Sequence, residues 1–330
     1  MRLVKQLMVI INPHSGSVSK DGIDATIRHE ASKYSLSTDI RFTTAPGDAT
    51  RLAREAIEKG YYGVVACGGD GTVNETARAL CGSGVALGII PMGSGNGLAR
   101  HLNIPLTVTG AMKVIAEDRV LDCDYASANG HPFFCTFGVG FDAEVTYKFN
   151  KSEKRGLATY LQTTVDEFVR YQPEVYTIIA NGEVITEQAL LIACCNASQY
   201  GNNAYIAPEA SIKDGLLDLT IIHKGSPVKL ALAGIDLLTG LVGKTAQATT
   251  FRVPEVTIVR RSPGPAHIDG EPADMSDEIR IKCHPGQLRL FTTARKSQFR
   301  ALLSPQIPFI SPFVLTMQDI GYRIARAFKI

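Results

Sequence analysis

The spacing of apolar residues changes character about a third of the way along the chain. Before that point, Leu7–Ile11, Asp39–Thr43, Gly63–Cys67 and Val85–Ile90 read as strands, and the apolar run Tyr61–Cys67 that carries the third has the length and continuity of a strand covered on both faces. Between and after them the period lengthens to that of an amphipathic helix, at Ile23–Lys33, Asp48–Lys59 and Thr107–Glu117, with a shorter helix expected over Asn74–Leu80. Such alternation predicts a mostly parallel sheet with helices on both faces, a doubly wound α/β domain over residues 1–120. From Arg119 onward come short segments rich in Val, Ile, Thr and Phe, punctuated by Asn129-Gly130, Asn181-Gly182, Asp214-Gly215 and Asp269-Gly270. These turn pairs join antiparallel strands, so residues 121–296 are expected to form an antiparallel β-sandwich with helical insertions near Leu157–Tyr171 and Val228–Leu241. The hinge between the two domains is placed at Asp118–Asp122, and a tail, 297–330, follows.

Glycine concentrates where strands end. Gly68-Gly69-Asp70-Gly71-Thr72, followed by Val73-Asn74-Glu75, joins the third strand to a helix. Helix amino termini carry N–H groups without intrahelical partners and suit phosphate, glycines let the backbone approach a ligand, and Asp70 can orient water or metal around the phosphates. Asn12-Pro13-His14-Ser15-Gly16 follows the first strand, where Asn12, Ser15 and the Gly16 turn can donate to phosphate oxygens. Pro91-Met92-Gly93-Ser94-Gly95-Asn96-Gly97 repeats this arrangement after the fourth strand, and Thr44, directly after the second, is placed with the same group. Each loop alone is an ordinary turn. Three of them at the carboxyl ends of one parallel sheet converge on a single crevice, where open α/β sheets bind ligands. In the β-rich half, His267-Ile268-Asp269-Gly270-Glu271 reads by itself as a hairpin turn with solvated carboxylates.

Composition narrows the class without naming it. With 330 residues, 45% hydrophobic and 20% charged, the chain can core two domains, and a net charge of +2 argues against nucleic acid as a partner. Seven cysteines without a CxxC pair fit reduced core thiols in the cytoplasm better than disulfides or zinc. The amino-terminal apolar run breaks at Asn12-Pro13 and reads as a strand, and no run of about 18 apolar residues suggests a spanning helix. Other signals are declined. Gly240-Leu-Val-Gly243-Lys244-Thr245 lacks the first glycine of a Walker loop and follows a helix, and neither Gly69-Asp-Gly71 nor Gly93-Ser-Gly95 continues to a dinucleotide fingerprint. Asn196-Ala-Ser198 is incidental outside a secreted protein, and the histidines, His101 included, lack metal-ligand spacing.

Taken in order, NPHSG, GGDGTVNE, PMGSGN, Phe141-Asp142, Asp214-Gly215-Leu-Leu-Asp218 and IDGEP resemble the soluble diacylglycerol kinase and sphingosine kinase superfamily, closest to its bacterial lipid kinases, from about Leu7 to Phe291. GGDGT alone is shared with NAD kinases and phosphofructokinases. The resemblance implies a nucleotide domain, a β-sandwich, and ATP with Mg²⁺ used to phosphorylate a lipid hydroxyl, diacylglycerol first. It puts Asp70 in the metal and water network, with Gly69, Gly71, Thr72 and Glu75 shaping the pocket and Gly68 beside them. It makes Asp269 the catalytic base with Glu271 next to it, and Asp124 and Asp214 acidic partners of Asp70 around Mg²⁺. The chemistry agrees with a kinase, because phosphoryl transfer needs loops for the phosphates, a divalent cation and a carboxylate to take the alcohol proton.

Two departures shape the alternatives. Ser17 stands where a basic residue usually follows NPxSG, with the first lysine only at Lys20, and Gly93-Ser94-Gly95-Asn96 is the version seen in sphingosine and ceramide kinases. A sphingoid-base or ceramide kinase is therefore one alternative, an NAD kinase-like enzyme a second, and a nucleotide-binding regulator without catalysis a third. The expected partners are a lipid at a membrane surface, reached by peripheral contact at the inner face, and a second copy of the chain in a homodimer. In the tail, Val314, Met317, Ile320, Ile324 and Phe328 share one helical stripe flanked by Arg323, Arg326 and Lys329. That helix either docks on the protein's own core, the preferred reading, or meets anionic headgroups.

Overall fold

The computed structural model describes residues 5–16, 22–151, 171–225 and 247–293, together with Leu237, Gly240 and Val242. Apart from Tyr171, Leu237 and Gly240, the insertions expected at Leu157–Tyr171 and Val228–Leu241 lie outside the described residues, as do Ser17, Lys20 and the tail 297–330. The chain forms two compact units. The first contains the chain up to Tyr125, then Ile212–Gly215 and the segment from His284; the second contains Ala126–Ser211 and Leu216–Cys283. A contiguous reading of domains misses those two returning segments.

The first unit runs β1 (Lys5–Ile11), α1 (Ile23–Lys33), β2 (Leu36–Phe42), α2 (Asp48–Glu58), β3 (Gly63–Gly68), α3 (Asp70–Leu80), β4 (Ala86–Pro91), α4 (Gly97–His101), α5 (Val108–Ala116) and the start of β5 (Val120–Ala128). Parallel pairing gives the order β2-β1-β3-β4. Leu7–Ile11 of β1 and all of β3 and β4 are buried, which explains their continuous apolar sequences. The chain leaves β1 toward β2, then crosses back past β1 to β3. Right-handed crossovers therefore put α1 on one face and α2 on the other, where α1 packs on α5 and α2 on α3. The reversal makes the carboxyl ends of β1 and β3 a topological switch point.

The sequence places the start of α3 at Asn74, whereas the helix begins four residues earlier, at Asp70. Glycine disfavours a helix interior by roughly 1 kcal/mol, but a first turn lacks intrahelical N–H bonds anyway and favours an acidic residue, so Asp70-Gly71-Thr72 is absorbed into the helix.

The second unit contains β6 (His131–Phe133), β7 (Thr136–Gly140), α6 (Phe141–Lys151), β8 (Glu174–Ala180), β9 (Glu183–Cys195), β10 (Gln199–Gly201), β11 (Ala204–Tyr205), β12 (Leu217–His223), β13 (Ala248–Val253), β14 (Glu255–Arg260), β15 (Gly264–Ile268), β16 (Glu271–Met275) and the first half of β17 (Glu278–Phe291). The pairing is antiparallel throughout. The second half of β9 lies between β7 and β12 with both faces covered. Ile192 and Cys194 enter one apolar cluster with Phe133, Phe137 and Ile258, and Leu191, Ala193 and Cys195 enter another with Phe141 and Val145. Burial on both faces accounts for its unbroken run ALLIACC. All seven cysteines are free thiols, six of them buried.

Candidate functional site

In the first unit, four loops meet at the carboxyl ends of the strands. The loop after β1 is closed by Asn12, whose Oδ1 accepts the His14 N–H at 2.9 Å and whose Nδ2 donates to Thr72 Oγ1 at 3.1 Å, while Ser15 Oγ donates to the Asn12 carbonyl. This loop lies against the one after β4: Gly16 has a left-handed φ of 69°, and a Cβ there would run into the Met92 carbonyl. Gly93 and Gly69 approach backbone to backbone, so a Cβ on Gly93 would lie 2.6 Å from the Gly69 Cα. Gly68 is as constrained, since its Cβ would overlap the Thr72 side chain.

Asp70 joins the third and fourth loops. Its Oδ2 accepts the Asn96 N–H at 2.8 Å and its Oδ1 the Gly97 N–H at 2.7 Å, at the start of α4. Gly95 lies over it, leaving no room for a side chain, since a Cβ would sit 2.7 Å from Oδ2. Burial pushes the Asp70 carboxyl above its ordinary range, and the two backbone donors oppose that rise. Asn96, left-handed at φ 50°, accepts the Gly93 N–H and donates to the Gly93 carbonyl, closing the glycine loop, while Ser94 is exposed. Gly71 and Thr72 lie in the first turn of α3, whose N-cap, Gly69, supplies no side-chain hydrogen bond. The first-turn N–H groups at the switch point are thus those of a side-chain-uncapped helix.

Glu75 and Thr44 shape the remaining loop. Both Glu75 oxygens accept the Gly47 N–H at 3.0 Å, and Asp48 accepts the N–H and hydroxyl of Thr44, each at 2.8 Å. Thr50 ties this corner to α3 by donating to the Glu75 carbonyl.

The acids expected around Mg²⁺ are not gathered. Asp124 is buried and accepts the Gly215 and Gly286 N–H groups, each at 2.8 Å, pinning the two returning segments to β5; Asp214 is exposed. Among the described residues, no group of three or more His, Cys, Asp or Glu side chains could hold a metal ion. Asp70, Asp124 and Asp214 therefore do not fit a shared three-carboxylate Mg²⁺ site. Spacing in sequence carried no information about this, because the loops holding them close on backbone N–H donors.

In the second unit, Asp269 and Gly270 form the two-residue turn of the β15–β16 hairpin, with φ 51° and 80° and Ile268 opposite Glu271. Positive φ at both positions is the type I′ requirement. The Asp269 carboxylate accepts three backbone N–H groups, from Phe134 at 2.9 Å, Cys135 at 2.7 Å and Thr136 at 2.9 Å, and its own N–H donates to the Thr136 carbonyl. Asp269 is thus half-buried and committed to the loop before β7, whereas Glu271, the first residue of β16, is exposed. On β15, two residues before Asp269, the buried His267 Nε2 lies 3.0 Å from Asp142 Oδ2, and the Tyr200 hydroxyl donates to that oxygen at 2.8 Å. Gly138 leaves the space for this contact: a Cβ there would lie 2.5 Å from Asp142 Oδ2. The sequence marked out no role for Tyr200, and Gly97, His267 and Asp142 lay within quoted motifs without a role of their own. The signal for Gly138 was its place in Gly138-Val-Gly140-Phe-Asp142.

A doubly wound unit with a glycine-lined, helix-capped switch point is the architecture of a phosphate-binding domain, here followed by a β-sandwich. Residues 6–128 match the diacylglycerol kinase catalytic domain, and residues 135–292 match the YegS C-terminal NAD kinase β-sandwich-like domain. A protein of Xanthomonas oryzae pv. oryzae described as "Probable lipid kinase YegS-like" is 35% identical over 277 residues, covering 78% of this chain and 87% of the relative. One of Pseudomonas aeruginosa with the same description is 31% identical over 259 residues, 77% and 84% of the two chains. The crystal structure of a diacylglycerol kinase from Bacillus anthracis str. Sterne shares the fold, with a TM-score of 0.69, 21% identity, and coverage of 88% of this chain and 97% of the other. The chain belongs to the diacylglycerol kinase and sphingosine kinase superfamily. No helix among the described residues is long and apolar enough to cross a membrane.

Proposed function

We propose that the protein is an ATP-dependent lipid kinase that transfers phosphate to a lipid hydroxyl, with diacylglycerol as the first candidate acceptor. The observation that carries the nucleotide half is the closure of the Asn12, Gly68 and Gly93 loops around the side-chain-uncapped amino terminus of α3, with Asp70 holding two of them together. Backbone N–H groups there receive the triphosphate, and Asp70, Asn96 and Glu75 keep the loops in place before it arrives. Mg²⁺ enters as part of the MgATP substrate. That ion keeps water and phosphate oxygens with only one or two carboxylates, so the absence of a three-acid cage among the described residues is compatible with it.

For the base we favour Glu271 over Asp269. An acceptor hydroxyl must lose its proton to a carboxylate that can reach it, and Glu271 is exposed while Asp269 is committed to three backbone donors. Asp269 then sets the turn that places Glu271. The lipid half rests on the relatives described as lipid kinases. The Gly93-Ser94-Gly95-Asn96 loop favours a second reading, a sphingoid-base or ceramide acceptor.

The test is ATP-dependent phosphate transfer by the full chain onto diacylglycerol, monoacylglycerol, sphingosine, ceramide and NAD, each lipid in mixed micelles. Phosphorylated diacylglycerol is expected. Transfer to NAD alone, or to nothing, overturns the reading, and a sphingoid product replaces the acceptor. The substrate is taken to be reached by peripheral contact with a membrane, tested by cosedimentation with anionic vesicles with and without residues 311–330.

A further inference from the structure

Glu271 begins β16, and among the described residues β16 pairs only with β15. β15 in turn meets the rest of its sheet over three residues, Ala266–Ile268 against Val139–Phe137 of β7. α6 packs on both strands of the hairpin and Ala266, Ile268 and Met275 enter the core, so one face is seated, while the strand pairing that sets its angle is short and leaves that angle to whatever holds the two ends. The turn end is held by Asp269. The open end is held by Arg260, the last residue of β14. Its side chain is buried, 6% exposed as a residue, and its guanidinium donates to four main-chain carbonyls. Nη2 donates to Gly264 at 2.6 Å and to Met275 at 2.7 Å, Nη1 to Pro265 at 2.8 Å, and Nε to Ser276 at 3.2 Å. Gly264 and Pro265 lie on β15; Met275 ends β16 and Ser276 follows it, with Gly264 directly opposite Met275.

Among the described residues Arg260 has no carboxylate within ion-pair distance. A buried cation is costly unless its donors are satisfied, and here carbonyl oxygens from both strands of one hairpin satisfy them. A merely apolar residue would fill the space more cheaply. The planar fork of guanidinium N–H groups instead fixes the separation and angle of two strand ends at once, which a point charge such as lysine does less completely. Because Arg260 also pairs through its backbone with Tyr176 of β8, the clamp refers the hairpin to the middle of the sheet.

We propose that Arg260 is a positioning residue for Glu271. It clamps the open end of the β15–β16 hairpin about 14 Å along the strand from that carboxylate, and with Asp269 at the turn it fixes where Glu271 points. This inference rests on the lipid kinase reading with Glu271 as the base. Errors of about 1 Å in the placement of a reacting group can cost on the order of 100-fold in rate, so a remote clamp can act on turnover without touching substrate.

The test compares wild type, Arg260→Lys and Arg260→Met in the full chain by ATP-dependent lipid phosphorylation and by backbone hydrogen exchange without substrate. In Arg260→Met, kcat is expected to fall about 10- to 100-fold, with KM for ATP within about twofold of wild type. Faster exchange should be confined to residues 264–276. Arg260→Lys, which can still reach up to three carbonyls, should recover part of both effects and guards against a methionine variant that fails to fold. Unchanged kcat in a folded variant, or faster exchange throughout the second unit with kcat falling only as folded protein is lost, overturns the role of Arg260 and leaves the kinase reading standing. A wild-type protein that phosphorylates no lipid overturns the kinase reading, and the role of Arg260 with it.

Discussion

Replacing Asp70 by asparagine separates a loop-bridging role from a direct part in the chemistry. The carboxylate gives one oxygen to the Asn96 N–H at 2.8 Å and the other to the Gly97 N–H at 2.7 Å. Asparagine keeps one acceptor and turns an NH₂ group toward the second donor. A hydrogen bond to a charged group contributes about 1.5–3 kcal/mol. Part of that loss is offset, because burial already disfavours the charge and pushes this carboxyl above its ordinary range. The remaining cost of closing the glycine loop is about 1–2 kcal/mol. If ATP binds only the closed loop, its affinity falls about 5- to 30-fold, at 1.4 kcal/mol per factor of ten. Calorimetric titration of the full chain with ATP measures this directly, with a thermal melt to confirm folding. An affinity within about twofold of wild type would refute the reasoning. An unchanged affinity with a collapsed kcat would move Asp70 from holding the loops to acting on the phosphates themselves.

Other outcomes follow from the same geometry. Glu271→Gln should lower kcat by about 10²–10⁴-fold with an unchanged melting temperature, whereas Asp269→Asn should lose stability and activity together, because an amide cannot accept three N–H groups; equal melting temperatures for the two variants would contradict this. Burial pushes the Cys81 and Cys123 thiols up to about 12, so alkylation of the native protein near pH 8 should be slow and denaturation should expose all seven thiols; fast labelling of either thiol in the folded protein argues against it. Asp48, held mainly by the Thr44 N–H and hydroxyl, titrates below the ordinary aspartate range. Its contribution is therefore complete above that range and is lost as pH falls through the folded value, so Asp48→Asn should flatten the acid limb of a stability curve between about pH 4 and pH 2. Identical acid limbs would remove this role.

Much of the first unit was legible because local rules and tertiary outcome agree. Three of the four parallel strands, β1, β3 and β4, are apolar since both faces are covered, whereas β2 is polar and nowhere fully buried, and the limits expected for α1 are those observed. The start of α3 was read late because two glycines look like a turn until the first-turn geometry accepts them. The type I′ hairpin at Asp269-Gly270 was likewise visible, since only residues tolerant of positive φ fit there.

What each acidic side chain does was decided by the fold. Asp70 and Asp269 stand beside glycines and Asp124 within an apolar strand sequence, yet all three are turned onto backbone donors from segments 20 or more residues away. The same holds for Arg260, whose four carbonyl partners come into reach only when β15 and β16 pair. Periodicity and turn chemistry are properties of neighbouring residues, so a sequence carries them openly. The direction of a carboxylate or a guanidinium depends on which distant backbone groups are left without partners once strands and helices have packed, and burial makes satisfying those groups obligatory.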